Sequence, residues 1–142
     1  MDSTDLRILK VLQEDGRISM KNLGKMVGLT SPAVSERVKR LEEDGVITGY
    51  RATVNPDKLN KSIKAFISLA IKAHNYKKFL DFAPDNNSII ECHHITGGDC
   101  MIIKVMVESM EELEHLIDDM KKFGDTQTNL ILSTPVKGKI IL

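Results

Sequence analysis

Gly28-Leu29-Thr30 lies between two runs with helical spacing and is too short for anything but a tight turn. The run after it, Ser31–Leu41, marks its own start. The Ser31 hydroxyl is suited to capping the free N–H groups of a first turn, and Pro32 fits the first helical position, where an N–H would have no partner anyway. Val34, Val38 and Leu41 then recur at i, i+4 and i+7, one narrow apolar stripe. Pro32, Glu36, Lys39 and Arg40 fall on the opposite side, with Ala33 and Ser35 flanking them. One edge of this helix suits a small core. The other is a short, mixed, partly basic face.

The elements around it are short as well. A helix beginning near Thr4, capped by Asp2 or Ser3, turns Leu6, Ile8, Leu9 and Leu12 inward and ends at Asp15-Gly16. Ser19 caps a second helix, Met20–Val27, with Leu23, Met26 and Val27 inward. The third helix closes at Glu43-Asp44-Gly45, where Gly45 supplies a left-handed residue. Val46–Val54 is β-rich and broken at Gly49, a short strand or small wing stopped by Asn55-Pro56. Three short helices, the second and third joined by a Gly-containing turn, form a helix-turn-helix pattern. The first two hold the third, whose width fits the major groove of DNA, where base edges carry a distinguishable code. Ser31, Ser35 and the free N–H groups of the first turn suit phosphate, and Arg37, Lys39 and Arg40 add positive charge. Glu36 accepts from a cytosine amine or discourages wrong sites. Small three-helix units also serve as dimerisation or protein-binding modules, and spacing alone leaves both readings open.

The segments DLRILKVLQEDGRIS, LGKMVGLTSPAVSERVKRLEEDGVITGY and VNPDKLN resemble the DNA-binding half of the leucine-responsive/asparagine-regulator (Lrp/AsnC) family of prokaryotic transcription regulators. Val27–Ser31 and Glu36–Glu42 carry the likeness, and helix-turn-helix, wing and linker match in order and spacing. The expected DNA-contacting set is Ser31, Pro32, Ala33, Ser35, Glu36, Arg37, Lys39, Arg40 and Arg51.

The second half reads differently. Ile63–Lys72 alternates as a strand, Asn75 caps a helix over Tyr76–Ala83, and Pro84 stops it. Ser88–Thr96 and Cys100–Glu108 are strands about a Gly97-Gly98-Asp99 turn. Ser109 and Glu112 form a capping box that opens a helix to about Phe123, with Leu113, Leu116, Ile117 and Met120 inward. Thr126–Thr134 is a fourth strand, ended by Pro135. The order β-α-β-β-α-β is the ferredoxin-like arrangement. Two helices cover one face of such a sheet, and the apolar residues of the other face call for a second copy.

The fold class is therefore α+β: an N-terminal winged helix-turn-helix domain over residues 1–61 and a C-terminal ferredoxin-like domain over 62–142. The latter resembles the family's RAM (regulation of amino-acid metabolism) module. That resemblance implies a homodimer that assembles further to a tetramer or octamer. It also implies a small effector, commonly an amino acid, held near the hairpin Ile95–Ile103 by Thr96, Gly97, Gly98, Asp99 and Cys100. Backbone N–H groups at the two glycines suit a carboxylate. The family's acidic residue after this turn is replaced by Cys100, which holds no ammonium as a carboxylate does. Asp99 sits one residue earlier, where strand alternation points it to the other face.

Cys92, His93, His94, Asp99 and Cys100 also invite a metal or thiol-enzyme reading. Within one strand, however, Cys92 and His94 share a face while His93 points away, and a two-glycine turn sets Ile95, not Cys92, opposite Cys100. Neither Cys-x-x-Cys nor His-Glu-x-x-His spacing occurs. The cysteines read as reduced, small apolar residues, and neither metal nor cofactor is expected. A formal net charge of 0 argues against an undiscriminating nucleic-acid coat. There is no apolar run long enough to span a membrane and no secretory layout in MDSTDLRILK, so a cytoplasmic protein is expected. The alternatives to an effector-modulated regulator are an effector-independent architectural protein that bends or bridges DNA and, more remotely, a stand-alone small-molecule sensor or an enzyme.

Overall fold

The computed structural model describes residues 1–97 and 101–142. The chain forms two compact units: Met1–Thr53 together with Val136–Leu142, and Val54–Pro135. This differs from the boundary expected at 61/62. The Pro56–Leu59 turn and Lys61 belong to the sheet unit, where Lys64 Nζ bonds Asp57 Oδ1 at 3.0 Å and Lys61 Nζ bonds Glu112 Oε1 at 3.2 Å. Residues 136–142, expected in the second domain, group with the first unit, where the Ile141 N–H donates to Gln13 Oε1 at 3.0 Å.

The first unit is built on α1 (Ser3–Glu14), α2 (Met20–Val27) and α3 (Ser31–Glu43). Asp2 caps α1: its carboxylate accepts from the N–H groups of Thr4 and Asp5, and Asp5 accepts from the Asp2 N–H. Ile8, Leu9 and Leu12 are buried, but Leu6 is exposed. At 100° per residue it lies about 110° around from the middle of that stripe. Ser19 Oγ caps α2 by accepting from the Asn22 N–H. Leu23, Gly24 and Val27 face inward, whereas Met26, expected with them, is 61% exposed for the same angular reason. α3 is capped by Thr30 rather than Ser31. The Thr30 hydroxyl accepts from the Ala33 N–H at 3.4 Å, which moves Ser31 and Pro32 into the first turn. Val34, Val38 and Leu41 are buried against α1 and α2, completing one small core.

Val46–Thr53 forms no strand: the Val46 and Ile47 N–H groups both donate to the Leu41 carbonyl at 2.9 Å, closing the end of α3 and not pairing with a second strand. A side chain also holds the segment: the Tyr50 hydroxyl donates to Glu42 Oε1 at 2.9 Å. Partial burial, together with the Glu42 carboxylate, pushes the Tyr50 phenol up to about 12.

The second unit carries β1 (Ile63–Ile71), α4 (Tyr76–Phe82), β2 (Ile89–His94), β3 (Met101–Val107), α5 (Met110–Lys121) and β4 (Gly124–Leu130). The strands form one antiparallel sheet in the order β2-β3-β1-β4. Alternation places Ala65, Ile67, Leu69, Met101, Ile103, Val105 and Val107 on one face, where they meet Phe79 of α4 and Leu113, Leu116 and Met120 of α5. Ile117 is only partly buried. Ser109 caps α5 by accepting from the Glu112 N–H at 3.1 Å, but Glu112 returns its bond to the Glu108 N–H at 2.8 Å.

Two further expectations are corrected. Asn75 does not cap α4: its amide donates to the carbonyls of Lys122 and Phe123 at 3.3 and 3.1 Å, tying the start of that helix to the end of α5. β4 begins at Gly124, not Thr126, and ends at Leu130. A side chain at Gly124 would place its Cβ 2.0 Å from the Ala70 carbonyl oxygen, so only glycine lets β4 start this close to β1. The opposite sheet face is mixed. Phe66, Ile102 and Met106 share it with Lys64, Ser68 and Lys104, and Phe66 is 39% exposed.

Candidate nucleic-acid interface

Helical geometry fixes what α3 offers. Directly opposite the Val34–Val38–Leu41 stripe stand Glu36 and Glu43, with Pro32, Lys39, Arg40 and Ala33 to either side. Ser31, Pro32, Ala33, Glu36, Lys39 and Arg40 are exposed, and Ser35 is half-buried. In the first turn Pro32 has no N–H and Thr30 takes that of Ala33, so the Ser31 N–H and hydroxyl are the groups left for a phosphate, with small residues around them. Lys39 Nζ lies 3.4 Å from Glu43 Oε1, both ends well exposed, so the pair is weak and the ammonium remains free to swing to a phosphate. Arg40 forms no ion pair among the described residues.

Arg37 is placed differently from the rest of the expected DNA-contacting set. Its Nη1 lies 2.7 Å from both Asp2 Oδ2 and Asp5 Oδ1, so it ties α3 to the first turn of α1. The Asp5 N–H and the guanidinium hold the Asp2 carboxyl down at about 2, and the Asp2 N–H and Arg37 lower Asp5 likewise. A carboxyl depressed on folding stabilises the fold above its unfolded value and loses that contribution as pH falls through its folded one. On acidification the α1–α3 tie is therefore expected to weaken below about pH 4 and to be mostly lost by about pH 2. Arg37→Ala is expected to shrink that acid-labile component in a pH series of thermal melts without removing it, because the backbone N–H bonds that lower the two carboxyls most remain. It should not change how steeply DNA affinity falls with salt, since the residue faces α1 and not phosphate. Nothing in the local spacing pairs Arg37 with residues more than thirty positions away, although the two aspartates are legible as caps.

Arg51 is exposed within the extended segment that Tyr50 anchors to Glu42. Gly24, which no motif singled out, sets the α2–α3 approach: a Cβ there would lie 2.7 Å from the Leu29 carbonyl oxygen. A glycine inside a helix, where it is disfavoured, was the available signal.

At the expected effector hairpin, Thr96 and Gly97 are exposed and Gly97 has φ +120. Gly98, Asp99 and Cys100 lie outside the described residues. Beside the hairpin, the His94 ring packs 5.7 Å from Tyr76, and with Ile71 and Ala73 they line an open cleft of about 390 Å³. Cys92 pairs in register with Ile103 and packs on the sheet core, where burial pushes its thiol up. Buried Ser88 donates to Glu112 Oε1 at 2.5 Å, which also receives Lys61; sequence spacing gave no sign of this junction.

Three short helices presenting a capped third helix, joined to an antiparallel sheet unit of β-α-β-β-α-β order, define a helix-turn-helix DNA-binding protein with a second regulatory-type module. Residues 1–48 match the family model of the winged helix-turn-helix DNA-binding domain, and residues 64–141 match that of the Lrp/AsnC ligand binding domain. The chain belongs to the Lrp/AsnC family, and it is a DNA-binding transcriptional regulator of that type. It is 45% identical to the uncharacterized HTH-type transcriptional regulator YezC of Bacillus subtilis, over 94% of this chain and 95% of that protein. Among solved structures it is similar to LrpC of B. subtilis, with TM-score 0.92 and 32% identity over 98% and 99% of the two chains. It is also similar to the transcriptional regulator NMB0573 of Neisseria meningitidis in complex with L-methionine, with TM-score 0.94 and 25% identity over 100% and 96%. No helix among the described residues is long and apolar enough to cross a membrane.

Proposed function

We propose that this regulator works as a homodimer or larger assembly that sets two copies of α3 into successive major grooves, and that an amino acid bound near residues 96–100 modulates it. The protein acts by binding and not by catalysis, in the cytoplasm. The observation that carries this reading is α3 itself: a helix buried along one stripe, capped by Thr30, and presenting exposed Ser31, Pro32, Ala33, Glu36, Lys39 and Arg40. The Ser31 hydroxyl and N–H hold phosphate, Lys39, Arg40 and Arg51 flank it with charge, and Ser35 and Glu36 meet base edges. Arg37 serves this surface indirectly, by fixing α3 against α1. The sheet face away from α4 and α5, where Phe66 is exposed and Ile102 and Met106 are partly so, supports dimerisation through the second unit. The L-methionine bound to the Neisseria relative supports an amino acid as the effector class.

Lys39→Ala is expected to weaken binding to every sequence alike and to reduce the slope of log affinity against log salt by about 1. Ser35→Ala is expected to leave the slope intact and change the preferred sequence. A salt titration of both variants checks this; an unchanged slope in Lys39→Ala together with unchanged preference in Ser35→Ala removes α3 from the interface.

A further inference from the structure

We infer that Glu36 is the residue by which α3 selects a cytosine, its carboxylate accepting from the N4 amino group on the major-groove edge. The inference rests on the reading of α3 as the DNA-facing helix. It begins with the partners of the other charged side chains on α3. Arg37 is held by Asp2 and Asp5, Lys39 faces Glu43, and Glu42 receives the Tyr50 hydroxyl. Of the three carboxylates on α3, Glu36 alone has no hydrogen bond or ion pair among the described residues.

Its position makes this matter. Glu36 points almost directly away from the Val34–Val38–Leu41 stripe, at the centre of the outward face. The turn before it offers Pro32 and Ala33, which neither neutralise it nor donate to it. An unpaired carboxylate at the middle of a DNA-facing surface repels phosphate and lowers affinity for DNA in general. What it gains is discrimination. A carboxylate only accepts hydrogen bonds, so it needs a donor. Guanine presents acceptors at N7 and O6, thymine an acceptor at O4 beside its methyl group, and adenine an N7 acceptor next to its amine. Cytosine presents the N4 amine with no acceptor on its own edge. Glu36 thus favours cytosine and penalises the other three bases by repulsion, while Arg40 and Lys39 one turn later supply the phosphate contacts.

The test uses the full chain as wild type, Glu36→Gln and Glu36→Ala, each measured against a selected site, that site with its bases varied singly, and a scrambled duplex. Both variants are expected to keep the wild-type melting temperature, since Glu36 is exposed and unpartnered. Both are expected to lose roughly tenfold of the preference for cytosine at one position per half-site. Glu36→Gln is expected to shift that position towards adenine, and Glu36→Ala is expected to bind the scrambled duplex at least as tightly as wild type. Unchanged base preference, a change centred on a base other than cytosine, or an equal loss on all duplexes overturns the inference while leaving α3 as the interface. No salt-dependent DNA binding by the wild type removes the underlying reading, and the inference with it.

Discussion

Gly24→Val is expected to lower the stability of the DNA-binding unit by about 2 kcal/mol and to remove most specific DNA binding, leaving the sheet unit as stable as before. At Gly24, α2 passes so close to the α2–α3 turn that a Cβ would stand 2.7 Å from the Leu29 carbonyl oxygen and 3.4 Å from the Thr30 carbonyl carbon. Those atoms are backbone, so the strain is relieved only by moving the turn or the helix. Thr30 is also the cap of α3, and moving it shifts the whole reading helix. Valine is a better helix former than glycine by a few tenths of a kcal/mol, too little to offset overpacking. Gly24→Ala provides a graded arm: the same first clash with less bulk and a larger helix gain, hence a smaller loss. Denaturant melts that follow the two units separately, with DNA titrations alongside, check the expectation. A Gly24→Val protein that binds its site as wild type does would show that the α2–α3 spacing is not what positions α3.

Phe79→Ala acts on the other unit, with an expected loss of about 3–5 kcal/mol. Phe79 is fully buried on α4, under the sheet residues of β1 and β3, and meets Phe123 edge-on with ring centroids 5.6 Å apart. Truncation to Ala removes the ring's transfer free energy and adds the cost of the cavity left behind. Because dimerisation is proposed through this unit, Phe79→Ala is expected to dissociate the assembly in sedimentation. It is expected to spare the helical unit in heteronuclear spectra and to reduce binding to a two-half-site duplex towards that of a single half-site. A variant that stays assembled, with full affinity, would place the self-association surface elsewhere.

Gly24 and Phe79 differ in how visible they are in the sequence. Where one element's own period decides burial, most inward positions are legible, with Leu6 and Met26 the exceptions that lie off their helices' stripes. Val34, Val38 and Leu41, the alternation of Ile63–Ile71, and the Ser109 cap are local patterns, and the structure places each as expected. Departures arise where a distant group competes. Thr30 and Ser31 are both capping hydroxyls beside Pro32, and the geometry of the preceding turn chooses Thr30. Arg37 looked like one more cation on a basic helix until Asp2 and Asp5 claimed it. Asn75 looked like a cap but bonds to carbonyls at the end of α5. The run Val46–Val54 has strand composition, yet composition supplies no hydrogen-bond partner. At the effector hairpin, only Thr96 and Gly97 of the five expected residues lie among the described ones.

Whether α3 reads DNA in pairs is tested most directly by selecting duplexes from a random pool with the purified full chain, with and without a mixture of amino acids, and sequencing what is retained. The expected result is an imperfect palindrome whose half-sites lie about one helical turn, or a multiple of it, apart. A cytosine is expected at one position of each half-site, with enrichment that changes when the amino acids are present. A retained pool with no common sequence, or one lacking a repeated half-site, would contradict paired reading by α3.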